Sequence, residues 1–351
     1  MTGNSLRVLA WPAFHTKAGN PYNWQLYTHL QRQGVSVEEY SFVKLLSGTY
    51  HIFHVHWPEW QISQQSFLIS LLRFIRFMII LGLARAKGIR IVWTVHNVGP
   101  HENYHPRLGK YFYRTFVPRV DGYISLSHEN VKSIEDRFPL LRNRPHVVTP
   151  HGDYRAVYPN EVTMEAARSR LGISNDAMVA LYFGTIRAYK NVLLLIEQFR
   201  RLENPDFLLL VVGAPATKNL EEEIVETSGG DGKIRLTLEF VKDDEVQRYF
   251  NAADFVVLPF LDNWNSGSAI LALTFNRPVL VPAIGSITEL QELVGPEWVK
   301  TFQGTLSPEI LNQGFLWTAG IGKIQEAPLE GLRWECIAGK TKEFFELLGE
   351  R

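Results

Sequence analysis

The stretch MVALYFGTIRAYKN, residues 178–191, decides the fold. Its first six residues are a continuous apolar run of strand length, the pattern of a strand covered on both faces in a parallel sheet. Gly184 ends the run, a polar turn follows, and a helix is expected over 190–201. Strand, turn and helix make one βα unit, and the unit recurs on both sides of this stretch. Downstream, strands are expected at 207–212, 234–238, 255–258 and 279–282, with helices at 218–226, 243–252 and 266–274. Upstream, strands at 7–10, 35–40, 52–55, 90–95, 122–126 and 146–149 alternate with helices at 23–32, 64–87, 108–116 and 127–137. Two such series predict an α/β chain of two Rossmann-like, doubly wound domains, 1–155 and 156–330, joined through the Pro-rich segment 150–159. A tail over 331–351 carries a helix at 340–348 and is expected to return to the first domain. Ligands of open α/β sheets bind beyond the carboxyl ends of the strands, so the site is expected in the cleft where the two domains face each other.

Size and composition agree with two cores. The 351 residues exceed what one core usually holds, and 46% hydrophobic with 21% charged residues is an ordinary globular balance. Lys+Arg and Asp+Glu are both 36, so nothing in the overall charge points to nucleic acid. The one cysteine, Cys336, cannot form an intramolecular disulfide, which fits a reducing compartment. Residues 1–8 lack the cationic and apolar regions of a secretory signal, so the expectation is a cytoplasmic protein. Residues 66–88 are strongly apolar, but Arg73 and Arg76 near the middle argue against a membrane span.

Three loops carry the candidate chemistry of the second half. Arg187 and Lys190 follow a strand end at Gly184 and supply a planar fork and a mobile cation suited to phosphate oxygens. Asn265, Ser266, Gly267 and Ser268 open a helix, where free N–H groups and the helix dipole favour an anion. Gly213, after another strand, allows close passage of a ribose or base, with Glu239 nearby in the same half. Each loop alone also fits a solvated turn or a plain helix cap. Neither a P-loop nor a G-x-G-x-x-G fingerprint occurs, so nucleotide kinases and dinucleotide oxidoreductases are not supported.

In the first half, His54, His56 and Glu59 sit just past one strand, and His96, His101 and Glu102 just past the next. Such residues at strand ends suit a general base or sugar-hydroxyl contacts, and Trp57 or Trp60 suits an apolar sugar face. Their spacing matches no usual zinc motif, and no Asp-x-Asp is present, so metal-independent chemistry is expected.

The motifs Asn20-Pro21-Tyr22, His54-Val55-His56-Trp57-Pro58-Glu59, Thr94-Val95-His96-Asn97 and His151-Gly152-Asp153-Tyr154-Arg155 occur in order before the loops just described. After them come Arg277-Pro278-Val279-Leu280 and Val294-Gly295-Pro296-Glu297-Trp298-Val299. On these residues the sequence resembles the two-domain GT-B glycosyltransferases, most closely the GDP-mannose:glycolipid 4-β-mannosyltransferases of xanthan-type exopolysaccharide assembly. The resemblance implies a GDP-sugar donor, held by Gly184, Arg187, Lys190, Gly213, Glu239 and residues 265–268. It also implies a saccharide or lipid-linked saccharide acceptor, for which Asn20, Tyr22, Trp57, His101 and Asp153 are the candidates. Retaining GT-B enzymes carry two glutamates where this chain has Asn263 and Leu271, and a glycine where it has Asn276, so the resemblance favours inversion. Inversion needs a base for the acceptor hydroxyl. Glu59 is the first choice and His96 the second, with His56, Glu102 and Asp153 remaining candidates. A lipid-linked acceptor would give 66–88 a second role on an anionic membrane surface; the alternative is a helix packed on the first sheet with Arg73 and Arg76 at its solvent edge. Other readings left open are a retaining enzyme, a UDP-hexose or GDP-fucose donor, and a non-catalytic glycan- or nucleotide-binding module.

Overall fold

Each half of the chain builds its own parallel sheet from the apolar runs. The computed structural model describes residues 5–17, 19–99, 104–261, 267–320 and 326–350. The first unit comprises Met1–Gly152 with Leu332–Arg351, and the second Asp153–Gly331. The strands of the first are β1 (Arg7–Trp11), β2 (Ser36–Glu39), β3 (Ile52–His56), β4 (Arg90–Val95), β5 (Gly122–Ser125) and β6 (His146–Val148). They lie in the order β2-β1-β3-β4-β5-β6, every pairing parallel. The second unit has β7 (Met178–Phe183), β8 (Phe207–Val212), β9 (Ile234–Thr237), β10 (Phe255–Val257), β11 (Val279–Pro282) and β12 (Val299–Phe302). Their order is β12-β11-β10-β7-β8-β9, again all parallel.

These orders locate the crevices. The chain runs outward in opposite directions from β1 and β3 in the first sheet, and from β7 and β10 in the second. Each of those pairs is a topological switch point, where loops at the carboxyl ends diverge and leave room for a ligand.

The tail helix is longer than the apolar run alone suggested. It spans Trp334–Gly349, and Trp334, Ile337, Ala338, Phe344, Phe345 and Leu348 join the first unit's core beside Tyr22, Leu26, Tyr27 and Leu30 of helix Tyr22–Arg32. Burying each of its large side chains contributes on the order of 2 kcal/mol. Glycines make room for it: a Cβ at Gly152 would overlap the Trp334 ring, and one at Gly122 would sit 2.8 Å from Leu348 and Phe344. The break between units falls before Asp153, so Asp153 belongs to the second unit rather than to the first as expected.

Several elements escaped the sequence reading. Strand β12 reads Val-Lys-Thr-Phe and sits at a sheet edge, so it lacks the continuous apolar run of its neighbours. Helices Phe42–Ser47, Met164–Leu171, Ile287–Val294 and Pro308–Gly320 are short or only weakly periodic.

Helix Phe67–Ala86 packs one face into the first unit and leaves Arg73 and Arg76 exposed. Ser70, Phe74, Phe77, Ile80, Leu81 and Ala84 are buried in the first unit. Leu68, Leu72, Ile75 and Ile79, spaced at i, i+4, i+7 and i+11, are all exposed on the opposite face. The helix is apolar on both faces and, by length and composition alone, is long and apolar enough to cross a membrane.

Candidate active site

At the first switch point, the period of the strand puts His54 and His56 on one face of β3. Tyr27, on helix Tyr22–Arg32, reaches that face. Its Oη lies 2.8 Å from His54 Nδ1 and 2.7 Å from His56 Nε2. At one end, His54 Nε2 is 2.7 Å from Thr94 Oγ1 on β4; at the other, His56 Nδ1 is 2.9 Å from His96 Nε2. All five groups are buried.

Burial holds these imidazoles neutral. It lowers His54 to about 3 and His151 to about 4. His56 and His96 are also pushed well below their ordinary range, by burial first and then by neighbouring histidines. A carboxylic acid responds oppositely. Glu59, on the short turn Pro58–Gln61, is 3% exposed, and burial raises it to about 7, opposed in part by Asn97, whose Nδ2 donates to Oε1 at 3.4 Å. Glu59 therefore titrates where a general base works best, whereas His96 is a weak base at neutral pH.

The remaining first-unit candidates have more local roles. Trp57 adopts a left-handed backbone (φ 45°) and stacks with His96 at 4.2 Å and Trp60 at 5.0 Å. It is only 7% exposed, while Trp60 is 47% exposed, so Trp60 is the ring open to a sugar face. Asn20 Oδ1 accepts from the Tyr22 amide at 3.1 Å at the start of its helix. Tyr22 is buried among His96, His151 and Trp334, at ring distances of 4.9, 4.9 and 5.2 Å. Burial raises its hydroxyl, offset in part by Thr149. His101 and Glu102 lie outside the described residues.

At the second switch point, the loops after β7 and β10 meet. The Leu261 amide donates to Tyr189 O at 2.9 Å, and Lys190 Nζ sits 5.1 Å from the Phe260 ring centre. A Cβ placed on Gly184 would lie 3.6 Å from Lys190 Nζ and 3.8 Å from Ser268 Oγ, so an ammonium and a hydroxyl converge over this glycine. Ser268 belongs to the first turn of helix Gly267–Thr274, whose amides have no partner within the helix. Burial of its ammonium, with Arg187 beside it, lowers Lys190 to about 8.

Gly213 has a structural reason of its own: at φ 143° a Cβ there would overlap the Gly184 carbonyl oxygen. Glu239 is exposed just beyond β9, the strand whose Thr237 carbonyl accepts from the Gly213 amide at 2.9 Å. Asp153 Oδ1 accepts from the Arg155 amide at 2.9 Å. Asn276 takes the left-handed conformation (φ 56°) that asparagine tolerates better than other non-glycine residues. Asn263, Asn265 and Ser266 lie outside the described residues. Among the described residues, no three His, Cys, Asp or Glu side chains cluster as a metal site would require. Tyr27 is the described site residue that motif reading missed, and Thr94 stood in a quoted motif without a role; the signal for both was the period-2 pair His54 and His56, which demanded polar partners on one face.

Comparison with known proteins fits this architecture. Residues 177–302 match the family described as "Glycosyl transferases group 1". The chain is 30% identical over 293 residues to GDP-mannose:glycolipid 4-beta-D-mannosyltransferase of Xanthomonas campestris pv. campestris, covering 84% of this chain and 78% of that one. A D-inositol 3-phosphate glycosyltransferase of Geodermatophilus obscurus is 29% identical over 182 residues, 49% of this chain and 40% of that one. Among solved structures, a sucrose-phosphate synthase from Thermosynechococcus elongatus superposes with a TM-score of 0.71 at 16% identity, covering 98% and 99% of the two chains. WaaG, a glycosyltransferase involved in lipopolysaccharide biosynthesis, gives 0.59 at 15% identity and 98% of each chain. The structural neighbours share the fold, the mannosyltransferase shares sequence over most of both chains, and this chain belongs to the GT-B glycosyltransferases of the group 1 glycosyl transferase family.

Proposed function

We infer that this glycosyltransferase moves mannose from GDP-mannose, with inversion and without a metal ion, to a hydroxyl of a saccharide or lipid-linked saccharide in polysaccharide assembly. The observation that carries the donor and acceptor is the likeness to the mannosyltransferase over 84% of the chain. Inversion is supported by Leu271, a half-buried apolar residue where retaining enzymes of this fold carry a glutamate. Lys190, Arg187 and the first turn of helix Gly267–Thr274 receive the diphosphate charge, the task a divalent cation performs elsewhere. Glu59 takes the proton of the acceptor hydroxyl as its oxygen bonds to the anomeric carbon and the bond to the diphosphate breaks. GDP release by purified protein, followed with a panel of sugar nucleotides in EDTA, tests this reading. Turnover with GDP-mannose is expected; turnover only with a UDP-hexose or GDP-fucose, or only after a divalent metal is added, would contradict it.

The same reading places the enzyme on the cytoplasmic face of a membrane. It is supported by the exposed row Leu68, Leu72, Ile75 and Ile79, with the exposed Arg73 and Arg76 on the same helix. The protein is expected to sediment with vesicles containing phosphatidylglycerol, and the double change Leu72→Asp with Ile79→Asp to weaken that binding on the order of tenfold or more. Equal sedimentation of both proteins would remove the helix from the membrane account.

A further inference from the structure

We propose that the exposed face of helix Pro106–Phe116, carrying Arg107, Lys110 and Arg114, receives the headgroup phosphates of an anionic lipid bilayer beside the apolar row of helix Phe67–Ala86. Two helices, and not one, then make the membrane surface. The proposal rests on the membrane reading above and adds to it the element that selects the charge of the lipid.

Charge is unevenly placed along the chain. Residues 60–120 hold nine Lys and Arg and a single carboxylate, Glu102, although the formal net charge of the whole chain is zero. Such a local excess attracts anions. Four of the nine are engaged within the fold. Arg85 and Arg90 lie 3.3 and 4.0 Å from Asp121, Lys87 donates to the Leu45, Leu46 and Gly48 carbonyls, and Arg119 donates to the Thr115 carbonyl. The other five are Arg73 and Arg76 on helix Phe67–Ala86 and Arg107, Lys110 and Arg114 on helix Pro106–Phe116. All five are exposed, and neither helix contains an Asp or Glu.

Helix Pro106–Phe116 sorts its residues by face. Leu108, Phe112, Tyr113 and Phe116 are buried, whereas Arg107, Lys110, Tyr111 and Arg114, spaced i, i+3, i+4 and i+7, are exposed. The basic row works against its own helix. Arg107 stands in the first turn, at the positive end of the dipole, and Lys110 lies three positions from one arginine and four from the other. An anion supplied from outside offsets both repulsions.

Packing sets this row beside the apolar one. Phe112 meets Phe74 and Phe77 of helix Phe67–Ala86 at ring distances of 5.7 and 5.8 Å. Tyr111 touches Phe74 edge-on at 5.8 Å yet is 57% exposed, so it stands at the seam of the two helices. Around its own helix Tyr111 falls between Phe112 and the two arginines. Outward from the seam the order is apolar, aromatic and basic, which matches a membrane interface from acyl chains to headgroups. The juxtaposition chooses the partner. A nucleic acid would meet the cations but leave Leu68, Leu72, Ile75 and Ile79 in water, whereas an anionic bilayer covers both.

Vesicle sedimentation of the full-length protein tests this, with phosphatidylcholine alone and with added phosphatidylglycerol. The wild type is expected to prefer the anionic vesicles, and salt should weaken that binding. A cation near such a surface strengthens binding about fivefold, so the triple change Arg107→Gln, Lys110→Gln and Arg114→Gln should weaken it on the order of 10²-fold. Arg107→Lys with Arg114→Lys, which keeps the charges, should bind as the wild type does. A folded triple variant, judged by its melting temperature, that binds anionic vesicles as tightly as the wild type overturns the proposal and leaves the membrane reading to helix Phe67–Ala86. Wild-type protein that binds no vesicle overturns both. Equal wild-type binding to the two kinds of vesicle overturns the proposal without any variant, as does tighter binding to a short DNA duplex than to anionic vesicles.

Discussion

Replacing Glu59 by glutamine is expected to lower kcat about 10²–10⁴-fold while leaving the Kd for the nucleotide sugar within about twofold. Glutamine keeps the shape of the side chain and an oxygen for the Asn97 amide, so the loss isolates proton removal. The wild-type pH profile should carry the same group: kcat/KM falls about tenfold per unit as pH drops below about 7, where Glu59 protonates. In Glu59→Gln that limb should disappear. Stability should move the other way. Burial raises Glu59 from 4.5 in the unfolded chain to about 7 in the folded one. The folded protein then holds the extra proton between those values, so the contribution of Glu59 to stability is fully present below 4.5 and is lost as pH rises to about 7. Above that, an ionised buried carboxylate costs on the order of 3 kcal/mol, part of which glutamine relieves. At pH 8 the variant should therefore melt at a higher temperature than the wild type, read by scanning calorimetry. A variant that loses neither rate nor the acid limb would move the base to Glu102 or Asp153.

Lys190→Ala should act on the donor. Removing an ammonium from a phosphate contact costs about 2–3 kcal/mol, so the Kd for GDP measured by titration calorimetry should rise on the order of 10²-fold, with a smaller rise for Arg187→Ala. Burial and the neighbouring Arg187 hold Lys190 near 8, so in the wild type affinity should fall as pH passes above about 8, and binding there should take up a proton. The sign for the unliganded protein is opposite. A lysine whose folded value lies below its unfolded 10.5 binds fewer protons when folded, so stability increases between pH about 8 and 10.5. Lys190→Ala should accordingly stabilise the empty protein at pH 7 while weakening its ligand. Donor affinity unchanged in Lys190→Ala would remove this loop from the diphosphate account.

The two sheets were legible because parallel strands advertise themselves. Met178–Phe183 and Phe207–Val212 are uninterrupted apolar runs, Arg90–Val95 is apolar apart from Arg90 and Thr94, and the bounds of all three agree with expectation to the residue. Edge position hid β12, and a helix start built on Trp334 and Ile337 was obscured because the clearest apolar cluster, Phe344 with Phe345, lies a few turns later. At the site, sequence spacing revealed what lies on one element: His54 with His56 on β3, Arg187 with Lys190 after β7. It could not reveal what packing assembles. Tyr27 reaches His54 and His56 from a helix about thirty positions away, and Ser268 approaches Lys190 because β7 and β10 are neighbours in space and not in sequence. Electrostatics was equally hidden. Sequence alone ranks Glu59 ahead of His96 as a base without a physical separation between them, and burial supplies one by raising the first and lowering the second.

Inverting transfer from a nucleotide sugar is tested most directly by the configuration of the product's new glycosidic bond. With GDP-α-mannose as donor, proton NMR of the product should show a β-linked mannose. An α-linked product would contradict inversion and, with it, the role given to Glu59.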